Sequence, residues 1–201
     1  MEISSEDVNR HFMNIAFGTK RNTIDRWTLD VPLQISVSDL YLPDDSITLQ
    51  NFAKEFNKLS QSTKLSENIK YQTKGRLNFK LIPESSLKLI DLDDIQEISL
   101  DPDDDTIIYL ISYRTTDNEI FTYFNKDLTG YERSHYMIRA MLFMLGFAGY
   151  TVDHPDSVFY VYSEINSKLS IFDKEAIKLM YGKNIKPGMT QDQVRRVLMM
   201  K

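Results

Sequence analysis

The chain has 201 residues, of which 42% are hydrophobic and 26% charged, proportions that exclude disorder, collagen-like repetition and low complexity. A formal charge of −5 without a dense Lys/Arg block argues against nucleic acid as a partner. The absence of cysteine excludes disulfides, thiolate catalysis and Cys-based zinc sites.

A chain this long buries about 70% of its unfolded surface. One domain over 1–201 is therefore expected, with a sheet-and-helix portion at 1–149 and a helical tail at 150–201. The first five residues lack a basic stretch followed by an apolar run, so no signal peptide is expected in the chain as it stands. The compartment stays open between the cytoplasm and, for a chain whose leader has been removed, the cell envelope. The longest apolar stretch, 136–150, is interrupted by Arg139 and falls short of the ~20 residues that span a bilayer, so no transmembrane segment is expected.

In chain order, Ser4 and Ser5 precede the apolar stripe Val8, Phe12, Ile15 and Ala16, which predicts a capped helix over 6–17 ended by Gly18. Strict alternation of Trp27, Leu29, Val31, Leu33, Ile35 and Val37 predicts a strand over 23–37, with Pro32 at an edge or a bulge. Leu49, Phe52, Phe56 and Leu59 recur at helical spacing after an acidic start at Asp44 and Asp45, which predicts a second helix. Residues 69–73 and 76–82 read as strands joined by a hairpin at Lys74-Gly75, although such turns prefer Asn or Asp before the glycine. One helical turn is expected at 85–89, followed by a second hairpin with strands at 106–113 and 119–124.

A long helix over 130–147 is expected next, its buried part at about 131–147 and its end at Gly146 or Gly149. After a loop through Pro155, Ser170-Ile171-Phe172-Asp173 resembles a capping box with Asp in place of Glu or Gln, and Thr190-Gln191-Asp192-Gln193 matches the pattern fully. Each predicts a tail helix. The fold class that follows is α+β, a twisted mixed sheet with a buried central helix and a C-terminal helical portion.

Between Tyr136 and Phe147 only Arg139 is charged, so this helix must be covered on all sides. Met137, Met141 and Met144 form a stripe along it, read as core packing rather than a binding groove. An apolar helix after a strand pair, ending in Leu145-Gly146-Phe147, resembles the active-site helix of zincin-like metallopeptidases. The resemblance extends through six further blocks. They are Phe12–Gly18, Arg26-Trp27, Glu132–His135, Pro155–Tyr160, Met180-Tyr181-Gly182 and Ile185–Thr190. Together these are similar to an uncharacterised microbial family of zincin-like (metzincin-related) domains of cell-envelope proteins. That resemblance implies a zincin-like fold and no established activity.

Anchored on Leu145-Gly146, the His-Glu-x-x-His pattern falls on Arg139, Ala140, Met141, Leu142 and Phe143, and the third ligand of metzincins on Gly149. Arginine offers zinc no lone pair, alanine is no general base, and phenylalanine has no donor atom. No catalytic residue, cofactor or metal is therefore expected. The function implied is that of a catalytically inactive domain binding a protein or peptide. The alternatives are a hydrolase with a non-standard site and a structural envelope module.

Five residues stand as candidates for binding: Glu132, His135, Arg139, His154 and Asp156. Glu132 and His135 lie one turn apart and would bridge a metal only with help from His154, whereas a carboxylate pairing with an imidazole is the ordinary reading. Arg139 should find a carboxylate, from Glu132, Asp156, Asp173 or Glu175, or several carbonyls, unless its stem reaches the rim. The aspartates between 91 and 105 lack the glycine and glutamate of a calcium loop, and a solvated acidic loop is expected. A peptide groove is expected between the 106–124 hairpin, with Tyr109, Tyr113, Phe121 and Tyr123 as its shelf, and the 153–156 loop.

Overall fold

Helix α1 (Ser5–Phe17) starts where the Ser4 hydroxyl accepts from the Glu6 amide at 3.2 Å and stops at Gly18, whose φ is +56°. Its His11, Phe12, Ile15 and Phe17 face inward. The computed structural model describes residues 4–18, 21–38, 41–71, 75–87, 119–161 and 166–199, with 96–98 and 110–114 as backbone. Residues 91–95 and 99–105 of the acidic segment, the rings of Tyr109 and Tyr113, and residues 115–118 lie outside the described residues.

The sheet has six strands: β1 (Ile35–Val37), β2 (Lys70–Tyr71), β3 (Leu77–Ile82), β4 (Gln96–Ile98), β5 (Leu110–Arg114) and β6 (Ile120–Asn125). Their order is β2-β1-β3-β6-β5-β4. The first four in that order run parallel, and β5 pairs antiparallel with both β6 and β4. The remaining helices are α2 (Pro43–Leu59), α3 (Glu84–Leu87), α4 (Gly130–Met144), α5 (Ile171–Met180) and α6 (Gln191–Met199). The architecture is mixed, with four parallel strands and six helices among the described residues.

Two sequence expectations need correction. The alternating run 23–37 enters the sheet only at its last three residues. Leu33 makes an isolated bridge to Leu65 and Thr23 one to Thr190, and between them the chain crosses the end of α4, where Trp27 is buried. Alternation reports which side chains are inward, not whether a ladder exists, and Val31, 65% exposed, already breaks the pattern.

The hairpin at Lys74-Gly75 does not form either, because β1 lies between β2 and β3 and all three run the same way. Gly75 serves a close approach instead. A Cβ there would sit 2.7 Å from the Gln34 carbonyl oxygen, beside the strand the chain has to pass.

The second hairpin, β5 to β6, is present as expected. Helix α2 carries Pro43 in its first turn, and the Asp45 carboxylate accepts from the Leu42 amide at 2.7 Å. The two capping boxes are formed. Ser170 and Asp173 exchange backbone-to-side-chain bonds at 2.8 and 3.1 Å, and Thr190 and Gln193 do so at 2.9 and 3.4 Å.

The core is one connected cluster from Phe12 to Leu198, and every residue of α4 from His135 to Met144 is buried. The methionine stripe is fully inside it. The first turn of α4 is pinned to α2 by Arg133, which donates to both Asp45 oxygens at 2.7 and 2.8 Å and to the carbonyls of Lys126 and Leu128.

Candidate functional site

Helix α4 ends in a tight turn through Gly146, whose φ is +102°. Its last carbonyls would be left unsatisfied, and three side chains reach them. Trp27 donates its indole N–H to Met144 at 2.8 Å, the Tyr181 hydroxyl to Leu145 at 2.6 Å, and the Arg21 guanidinium to Gly146 at 2.7 Å. Arg26 ties the same neighbourhood to the tail through the carbonyls of Met180 and Gly182, at 2.5 and 3.2 Å. The Ile15 carbonyl accepts from both Ala148 and Gly149 at 2.9 Å. Short blocks scattered over 12–182 thus meet at one place, the C-terminal end of α4.

The turn brings Gly149 back beside Arg139. The guanidinium donates to the Gly149 carbonyl from two nitrogens, at 3.3 and 3.4 Å, and lies 4.6 Å from the ring centre of Phe159 and 5.0 Å from that of Tyr150. Burial pushes its pKa down to about 10, against the opposing fields of Tyr150, Asp173 and Tyr136. Among the described residues no carboxylate forms an ion pair with it, and its Nε is unpartnered. In place of a carboxylate or several carbonyls, Arg139 has one carbonyl and two aromatic faces among the described residues. Gly149 is closed to any side chain, since a Cβ there would lie 1.9 Å from the Asn14 carbonyl oxygen. Ala140 and Phe143 are buried as well, and Phe143 has the Arg21 guanidinium 5.4 Å from its ring centre.

The other candidates are dispersed. His135, in the second turn of α4, donates from Nδ1 to the Asn166 carbonyl at 2.8 Å. Burial holds its pKa at about 4, with the Asn166 bond opposing and the Arg139 charge assisting. Glu132 is half-buried in the first turn, and Asp156 is exposed on the loop 151–160. His154, on the same loop, stacks on Phe172 of α5 at 3.7 Å between ring centres. No group of three His, Asp or Glu side chains suited to a metal occurs among the described residues, so Glu132, His135 and His154 are not gathered into one.

The structure assembles a cluster that the sequence reading passed over. His11 of α1 donates from Nε2 to Asp173 of α5 at 3.2 Å, both fully buried. Asp173 also accepts from the Ser157 hydroxyl at 2.6 Å and from the amides of Val158 and Ser170. Burial works to raise the Asp173 pKa, but the His11 and Ser157 hydrogen bonds outweigh it and keep the carboxyl below its usual range. The available signal was the position of His11 on the apolar face of α1, one turn before Ile15. Its partner was already marked by the α5 capping box.

The expected groove beside the second hairpin is overturned by the strand order. Both β5 and β6 are interior, and the edges are β2 and β4. Phe121 and Tyr123 are half-buried, with the Lys80 ammonium 4.7 and 5.3 Å from their ring centres. The 153–156 loop sits on α1 and α5 instead, where Arg10 reaches Asp153 at 3.4 Å. A groove of about 370 Å³ does open elsewhere, between α2 and α4, lined by Ile47, Phe52, Tyr131, Ser134 and Ile138. Ile47 and Tyr131 stand out from its rim, 54% and 81% exposed.

No curated protein matches this chain. A family profile described as a protein of unknown function (DUF2927) matches residues 5–200, nearly the whole length, and the chain belongs to that family.

Proposed function

We propose that this chain is a catalytically inactive, zincin-like domain that binds a protein or peptide partner. The observation that carries the reading is the contact between Arg139 and Gly149. In the long metzincin pattern, His-Glu-x-x-His-x-x-Gly-x-x-His, the helix is followed by a glycine turn that returns the third ligand to the first. Aligned as in the sequence, the glycine falls on Gly146, which has the positive φ of a turn, and the outer ligand positions fall on Arg139 and Gly149, which touch. In this alignment the side-chain cation of Arg139 stands at a ligand position, and Ala140 and Phe143 supply neither a base nor a second imidazole there. A scaffold that keeps the turn and loses the donors supports binding rather than hydrolysis.

The groove between α2 and α4 is the place for the partner, through an apolar side chain entering between Ile47 and Tyr131. Two measurements test the two halves. The untagged chain, incubated with unfolded polypeptide and zinc, should release no new amino termini. Turnover that copurifies with the chain and vanishes in one of its single-residue variants would sink the inactive reading. Partner capture from the native cell should fall at least tenfold with Ile47→Lys or Tyr131→Ala, both at exposed positions. Capture that is indifferent to both removes the groove.

A further inference from the structure

We propose that His11 and His154 form a binding site for a divalent transition-metal ion of the zinc class, at the junction of α1, α5 and the loop 151–160. Two imidazole nitrogens there, Nδ1 of His11 and Nε2 of His154, are buried and have no hydrogen-bond partner among the described residues. Such orphaned atoms are uncommon in protein interiors and point to a missing partner. The rings are 5.0 Å apart between centres and nearly perpendicular, at 82°. An ion bonded at about 2.0–2.1 Å lies roughly 3.2 Å from each ring centre, and two ligands at a near-tetrahedral angle then hold those centres about 5.2 Å apart. The spacing fits.

The surroundings fit as well. His11 gives its Nε2 to the Asp173 carboxylate, which leaves Nδ1 as the ring nitrogen open to an ion. A carboxylate behind a ligating imidazole is the usual outer partner in metal sites, because it sets the tautomer and the ring orientation. Ser157 and the Val158 and Ser170 amides hold that carboxylate in turn. The Phe172 stack orients His154.

The nearby charges are Asp153, Asp156 and Arg10 around His154, and Asp173 behind His11. Arg10 is spent on Asp7 and Asp153. No third side-chain ligand is gathered among the described residues. The two imidazoles are therefore the protein's share, and water entering beside the exposed Asp153 and Asp156 completes the shell. This site shares the Phe159 ring with the Arg139 turn, but it does not depend on the zincin-like reading.

Zinc chloride and cobalt chloride, each added alone to the untagged full chain at pH 7.5, test the idea by calorimetry and thermal melting. One ion per chain is expected, with a rise in melting temperature of roughly 5 °C at a hundredfold excess over the dissociation constant. His154→Phe, which keeps a ring against Phe172, should weaken binding at least tenfold. Imidazole nitrogen NMR of the unmutated chain gives a readout that does not depend on a variant folding. Zinc should move His11 Nδ1 and His154 Nε2 and leave His135 in place. Absence of saturable binding, binding unchanged in His154→Phe, or a zinc-induced shift confined to His135 would each overturn the proposal.

Discussion

Helix α4 buries two arginines, and its two ends treat them differently. At the first turn Arg133 is matched by a bidentate carboxylate and two carbonyls within 3.1 Å. Near the other end Arg139, equally buried, has one carbonyl beyond 3.2 Å, two aromatic faces and a free Nε. A full set of charge-assisted bonds offsets the desolvation of the first charge, whereas the second is held by softer, less directional contacts. Strong pairing thus marks a joint between helices α2 and α4. Weak pairing marks the turn that brings Gly149 back beside Arg139.

The sharpest way to break the contrast is to remove the carboxylate. Asp45→Ala leaves the Arg133 guanidinium buried and deprives the Leu42 amide of its cap. A loss of roughly 3–5 kcal/mol is expected for stranding such a charge. It would be read as a fall of roughly 10 °C in melting temperature. A change under about 1 kcal/mol would mean the joint is not held by this pair.

The next effect comes from acid. His135 sits between the two arginines, and its folded pKa of about 4 lies below the usual value near 6.5 of an unfolded chain. The unfolded state therefore binds more protons. Stability is intact above about pH 6.5, falls as the pH drops towards 4, and loses nothing further from this group below that, a total of roughly 3 kcal/mol. Urea titrations across this range check the slope. Since the Arg139 charge contributes to the depression, Arg139→Met should make the slope shallower.

The smallest effect is expected from Arg139→Met itself. With no ion-paired carboxylate to strand among the described residues and a long apolar stem already packed, stability should stay within about 1 kcal/mol of the original chain. A loss as large as that of Asp45→Ala would erase the distinction between the two ends.

Much of the helical framework was legible because its signals are local. Ser4, Ser170 and Thr190 mark helix starts through bonds to amides two or three residues away, and each bond is present. Burial of α4 followed from a stretch with a single charge. The β5–β6 pairing was legible, but the neighbours of β2 and β3 were not, because Lys74-Gly75 reads as a turn while the need met by Gly75 is clearance from Gln34, far away in sequence. The residue types at Arg139, Ala140 and Phe143 could be read directly, but the partner of Arg139 could not. It is a backbone carbonyl, and every residue type carries one.

The sequence by itself determined composition class, helix starts and the buried helix, since these depend on residue type and on spacing along one element. The tertiary structure alone decided that β1 separates β2 from β3, that β5 and β6 are interior, and that Gly149 returns to Arg139. It also brought His11, His154 and Asp173 together from three elements 162 residues apart in the chain at their extremes. Contacts of that kind depend on how crossovers and turns bring distant segments together, and no local pattern of residues encodes where a chain passes in space.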